Sequence, residues 1–231
     1  MTRPSAEALA AAEAALFDHL PKKRLLAFYE AADGKELEAK FSSPGSSSAL
    51  AANTFGLFVE RPEALPDFLA GHAVSWPPLS IGLEAKMRFP WTGGRHPWLD
   101  VCLLTESHLI GIESKRFEPF DTHRPAKFQE AYRRPVWGER MKAFESVRDG
   151  LDAGTITYRH LNAAQLVKHA FGLRTQAKQR RALLLYLHAE PISGRTGASP
   201  RSGVIERHRE EIADFSIRVA GDEVAFKAMT Y

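Results

Sequence analysis

A chain of 231 residues, 44% hydrophobic and 26% charged, is large enough for one α/β domain, small for two, and too apolar to be disordered or fibrous. Its formal charge of +3 and pI near 9.0 permit a nucleic-acid partner without requiring one. A single cysteine, Cys102, excludes an intramolecular disulfide and a Cys-rich zinc centre.

In chain order, residues 5–31 carry apolar positions at helical spacing (Leu9, Ala12, Leu16, Leu20, then Leu25, Phe28 and Tyr29) and predict two helical segments interrupted at Pro21. This Ala-rich start lacks the apolar segment and cleavage site of a signal peptide, and no run approaches the roughly 20 apolar residues of a bilayer span. A cytoplasmic protein with no membrane partner is expected. The Ser- and Gly-rich stretch 42–48 predicts a turn whose last serines cap a helix through Leu50, Phe55 and Phe58, and Pro62 opens a short third one. Strands follow at 81–89, 98–105 and 109–117. The second and third are separated only by Glu106-Ser107-His108, which predicts an antiparallel hairpin.

Beyond the hairpin, 125–149 reads as a long polar helix and 162–181 as another. The nearly all-apolar run 182–188 has the pattern of a central strand covered on both faces. A basic loop at 194–203, a helix at 204–219 and a strand at 223–229 complete the chain. With no internal repeat and no linker, these elements predict one mixed α/β domain over 1–231. Its core would span about 36–190, with a helical extension at 1–35 and a closing helix and strand at 203–231.

The chemistry concentrates on the hairpin. Asp100 lies inside Trp98-Leu99-Asp100-Val101-Cys102, and Glu113 and Lys115 inside Ile110-Gly111-Ile112-Glu113-Ser114-Lys115. Charges embedded in apolar strands are costly unless they meet a partner or an ion. Residues two apart share a strand face, and neighbouring strands lie roughly 5 Å apart, so the hairpin can bring Asp100 beside Glu113 and Lys115. Two carboxylates with the Ile112 carbonyl would offer the hard oxygen ligands that Mg²⁺ or Mn²⁺ prefers. Lys115 adds a cation able to stabilise developing negative charge or orient an attacking water. Together these suit hydrolysis of a phosphodiester.

These residues resemble the PD-(D/E)XK nuclease superfamily: Asp100, twelve intervening residues, then Glu113-Ser114-Lys115. The order of a helix, a three-strand meander, helices and a further strand is similar to that superfamily's core. The turn and helix around Ser46-Ser47-Ser48 and Asn53-Thr54-Phe55-Gly56 further resemble a restriction-endonuclease-like family of bacterial proteins. The literal Pro-Asp pair is absent, since Leu99 precedes Asp100 and Pro97 stands three positions upstream. The resemblance implies a restriction-endonuclease-like fold with a central mixed β-sheet flanked by helices, and a Mg²⁺-dependent endonuclease acting on DNA. A nucleic-acid-binding protein on the same fold with weak or lost catalysis is the alternative, and a homodimer is left open.

The Glu-x-Lys pattern is weak by itself, because it recurs at Glu38-Ala39-Lys40 and Glu84-Ala85-Lys86. Only Glu113-Ser114-Lys115 sits on an apolar strand directly after one that carries an acid. The resemblance also implies a further acid from the first core helix, Glu38 or Glu36, with Glu84 on the neighbouring strand as competitor for a second metal position. It places Gln129, with Tyr132, as an assisting residue on the helix after the lysine strand; Gln165 is a second helical glutamine. Among nine histidines, His96 and His108 flank the hairpin but show no metal-ligand spacing. Trp91, beside Gly93-Gly94 and Arg95, is a candidate DNA contact. Two basic clusters, Arg133 to Arg148 and Arg174 to Arg181, are either phosphate-binding faces or solvated helix surfaces.

Overall fold

A computed structural model describes residues 4–32, 35–120, 127–193 and 203–231. Helices α1 (Ala6–Ala14), α2 (Lys22–Ala31), α3 (Lys35–Ala39) and α4 (Ser47–Phe55) precede the meander β1 (Ser80–Lys86), β2 (Trp98–Leu104) and β3 (His108–Lys115). Then come α5 (Lys142–Ala153), α6 (Ala163–Ala177), β4 (Arg181–His188), α7 (Val204–Arg218) and β5 (Val224–Thr230). The five strands form one mixed sheet in the order β1-β2-β3-β4-β5. The first three are antiparallel, while β4 and β5 run parallel to β3 and to each other. This is the α/β arrangement with a mixed sheet between helical layers that the sequence predicts. Among the described residues no helix is long and apolar enough to cross a membrane.

Each sheet face carries its own core. On one face, α1, α2, α3 and α4 contribute Ala12, Leu25, Tyr29, Leu37 and Phe55, joined by Phe41 just after α3, against Leu83, Val101, Ile110, Ile112 and Leu185. On the other, Trp137, Phe144, Phe171, Leu173 and Phe215 pack against Leu99, Leu184 and Tyr186. Strand β4 contributes to both, which is why it lacks the polar alternation of a one-sided strand. Gly111 lets α6 lie close to β3: a Cβ there would come within 2.9 Å of both Leu173 methyls and closer still to Leu99.

The helix expected over 125–149 is not formed as such. Residues 125 and 126 lie outside the described set, and residues 127–141 are irregular with short 3-10 turns at Glu130–Arg133 and Glu139–Met141. Pro135 cannot donate to a helical ladder, and Gly138 adopts a positive φ of 90°. The helix starts only at Lys142, where Asp222 accepts from the amides of Ala143 (3.2 Å) and Phe144 (2.8 Å). The basic loop expected at 194–203 falls, apart from Gly203, outside the described residues.

Candidate metal-dependent nuclease site

The hairpin brings Asp100, Glu113 and Lys115 to one polar cavity of about 480 Å³. Pairing between β2 and β3 runs from Leu104↔Leu109 to Val101↔Ile112 and stops there. Past that point a side chain replaces the ladder: the Ser114 amide donates to Oδ2 of Asp100 at 2.7 Å. A local departure also shapes β1. Glu84 has a φ of 47°, a left-handed conformation rare outside glycine and a recurrent mark of functional positions. It lies between the pairs Leu83↔Val101 and Ala85↔Leu99. The first pair faces the α1–α4 core and the second faces the opposite core, so the strand turns over at Glu84. Glu84 itself lines the cavity.

Charge in this cavity is unevenly matched. Glu113 is 2% exposed, with Oε1 on the Lys115 ammonium and Oε2 3.1 Å from His169 Nδ1. The imidazole is poorly aligned for a hydrogen bond but close enough for electrostatic contact. Burial pushes the Glu113 carboxyl up, but Lys115 and His169 together outweigh it and hold the group at about 2. Burial pulls the Lys115 ammonium down, and Glu113, Asp100 and Glu118 more than restore its proton. Asp100 and Glu84 are less well served. Burial, then Glu113, holds Asp100 well above the usual carboxylate range. Burial, then Glu36 and Glu113, raises Glu84 to about 8.

Helices complete the walls. From α3, Glu36 accepts from Ser48 Oγ at 3.0 Å and lines the cavity. Glu38 does not: it is exposed and accepts from the Ser5 amide at 2.5 Å, so of the two acids proposed from this helix the fold delivers Glu36. Gln129 is exposed, precedes a 3-10 turn and is not among the lining residues, while Tyr132 is buried in the core under α5 and α6. Gln165, on the first turn of α6, lines the cavity instead. Ile112 lies one residue before Glu113, paired with Val101 on one side and Leu185 on the other, its side chain in the core.

Several groups that line the cavity or stand behind its acids were absent from the sequence reading. His169 sits one helical turn beyond Gln165, and that i, i+4 pair of polar residues on a buried helix was the available signal. His160 has its Nδ1 2.7 Å from the Pro119 carbonyl, and Glu211 fixes its loop by accepting from the amides of Arg159, His160 and Leu161 at 2.7–2.9 Å. Glu118 accepts from Ser47 Oγ at 2.5 Å and from the amides of Arg116 and Phe117. No sequence motif marked either residue.

The oxygen-rich donor set of Asp100, Glu113 and Glu84 fits a hard divalent cation by its chemistry. Among the described residues, no three His, Cys, Asp or Glu side chains are gathered into a ready metal cluster.

Outside the cavity, parts of the basic clusters serve the fold. Arg148 is 6% exposed and donates to the Tyr132 carbonyl and to Asp149; Arg133 pairs with Asp152; Arg180 donates to the Thr105 carbonyl. His96 is buried, accepting from the Phe89 amide at 3.1 Å. Trp91 is half-buried against Phe89 and Trp137, with the Arg134 guanidinium 4.8 Å from its ring centre.

A family model described as restriction endonuclease associating with ARP matches residues 16–231. No curated protein and no solved structure matches the chain. The chain belongs to this restriction-endonuclease family, in accord with the family resemblance carried by the turn and helix around Ser46-Ser47-Ser48 and Asn53-Thr54-Phe55-Gly56.

Proposed function

We propose, from that membership and from the cavity, that the protein is a Mg²⁺-dependent endonuclease of the PD-(D/E)XK type acting on DNA. The observation that carries this reading is the excess of carboxylate over cation in the cavity. Asp100 and Glu84 face a cavity in which the Lys115 ammonium is already engaged by Glu113. Half-buried carboxylates pushed above their usual range by desolvation and by one another are unfavourable ground for a purely structural site and favourable ground for a divalent cation. Asp100 and Glu113 would hold the ion, with Glu84 and the Ile112 carbonyl as further oxygen donors; bound there, it supplies Lewis acidity and concentrated positive charge.

The chain's own groups supply the rest. Lys115 presents a half-buried ammonium to the cavity, which once freed from Glu113 can donate to a phosphate oxygen as negative charge develops there. The Ser114 amide holds the Asp100 carboxylate in register with β3. Gln165 can orient a water or a phosphate oxygen from the opposite wall.

The test is cleavage of linear, circular and single-stranded DNA with Mg²⁺, Mn²⁺ or EDTA, by wild type and by Lys115→Met. Metal-dependent cleavage lost in the variant, with cooperative unfolding kept, is expected. Wild-type protein that retains DNA without cutting it in any metal would replace the nuclease with a binding protein on this fold.

A further inference from the structure

Ser114 stands between Glu113 and Lys115, and three groups converge on it. It is 0% exposed, and strand alternation turns its side chain away from Glu113 and Lys115. Its Oγ lies 3.2 Å from the Ser47 carbonyl and 2.6 Å from the Tyr231 hydroxyl. A serine hydroxyl has one hydrogen, and a carbonyl can only accept. The Ser114 hydrogen therefore goes to Ser47, and Tyr231 is the donor to Ser114. On the other side, the Ser114 amide donates to Asp100 at 2.7 Å.

These bonds lie where the sheet has stopped helping. Pairing of β3 with β2 ends at Ile112, so Glu113-Ser114-Lys115 is held by backbone ladder only on the β4 side. Tyr231 is anchored there too, since its amide donates to the His188 carbonyl at 3.0 Å, directly after the last pair of β4 and β5. The tyrosine thus joins the end of β5 to β3, and through Ser47 to the start of α4, whose hydroxyl in turn holds Glu118. Tyr231 is 42% exposed as a residue, yet desolvation at its hydroxyl still pushes the phenol's pKa up.

We propose that Tyr231 is a positioning residue for the Asp100, Glu113 and Lys115 site, acting through Ser114. The inference rests on the nuclease reading above. It sets the pleat of the Glu113-Ser114-Lys115 segment and, through the Ser114 amide, the direction of the Asp100 carboxylate.

The experiment compares wild type, Tyr231→Phe, Ser114→Ala and the double variant in kcat and KM for DNA cleavage, Mn²⁺ affinity by calorimetry, and thermal unfolding. Loss of the phenol hydroxyl is expected to lower kcat or Mn²⁺ affinity by about 10- to 100-fold, the usual effect of removing a support of ligand side chains. KM for DNA should stay within about twofold, and the double variant should be no worse than the poorer single, because both break one chain of bonds. Wild-type kcat and Mn²⁺ affinity in Tyr231→Phe, or single effects that multiply in the double variant, would overturn the proposal while leaving the nuclease reading intact. Absence of both cleavage and Mn²⁺ binding in the wild type overturns the nuclease reading and this proposal with it. If Mn²⁺ binds without cleavage, affinity alone decides.

Discussion

His169, from the middle of α6, sets its Nδ1 3.1 Å from the Glu113 carboxylate at the end of β3, and both side chains are 2% exposed. The contact ties the helical layer of one face to the central acid of the site. It also explains how a carboxylate so deeply buried remains ionised, because Lys115 engages only one of its oxygens. Replacing His169 with leucine leaves the second oxygen against an apolar group. We expect a loss of about 1–3 kcal/mol in urea unfolding at neutral pH, the range for an abandoned buried polar group. His169→Gln, which keeps a donor, should recover most of it. Equal stability of the two variants would show that the contact contributes nothing.

The two glutamines separate fold from motif. Gln165 lines the cavity from the first turn of α6, whereas Gln129 is exposed and outside the lining. Gln165→Ala should reduce DNA cleavage by about 10- to 100-fold, since misplacing a reacting group by about 1 Å costs on the order of 10²-fold. Gln129→Ala should leave cleavage within about twofold. Steady-state rates measured side by side decide between them, and the reverse ranking would place the assisting glutamine before α5.

Asp100, Glu113 and Lys115 were readable because a charge inside an apolar strand stands out against its neighbours, and a three-residue turn fixes which strands are adjacent. The covered β4 was readable for the same reason, as an unbroken apolar run. Gln129 was misplaced because helical composition hid Pro135 and Gly138, two residues that stop a helix whatever surrounds them. The sequence favoured Glu38 over Glu36, whereas the cavity is lined by Glu36: α3 is five residues long and its rotation is set by packing of Leu37 rather than by its own pattern. Tyr231 gave no local signal at all. Its partner is 117 positions away, and only the parallel pairing of β5 with β4 brings them together.

The unmatched carboxylates make stability depend on pH in two opposite ways. Glu84 is raised from an ordinary 4.5 to about 8, and Asp100 is raised as well. Between pH 4.5 and 8 the folded protein therefore retains a proton at Glu84 that the unfolded chain has released. Stability falls as pH rises through that window, by an amount on the order of a few kcal/mol. Glu113 is lowered to about 2, so its contribution is present above pH 4.5 and is lost as pH falls toward 2. Metal-free protein should accordingly be most stable near pH 5 and weaken on both sides. Glu84→Gln should flatten the alkaline limb and leave the acid limb. A divalent cation replaces the proton that these carboxylates otherwise need, so Mn²⁺ or Mg²⁺ should raise the melting temperature more at pH 8 than at pH 5. Thermal unfolding across pH 3 to 9, with and without metal, measures all three. A cation effect equal at both pH values would mean that Glu84 and Asp100 do not meet the ion.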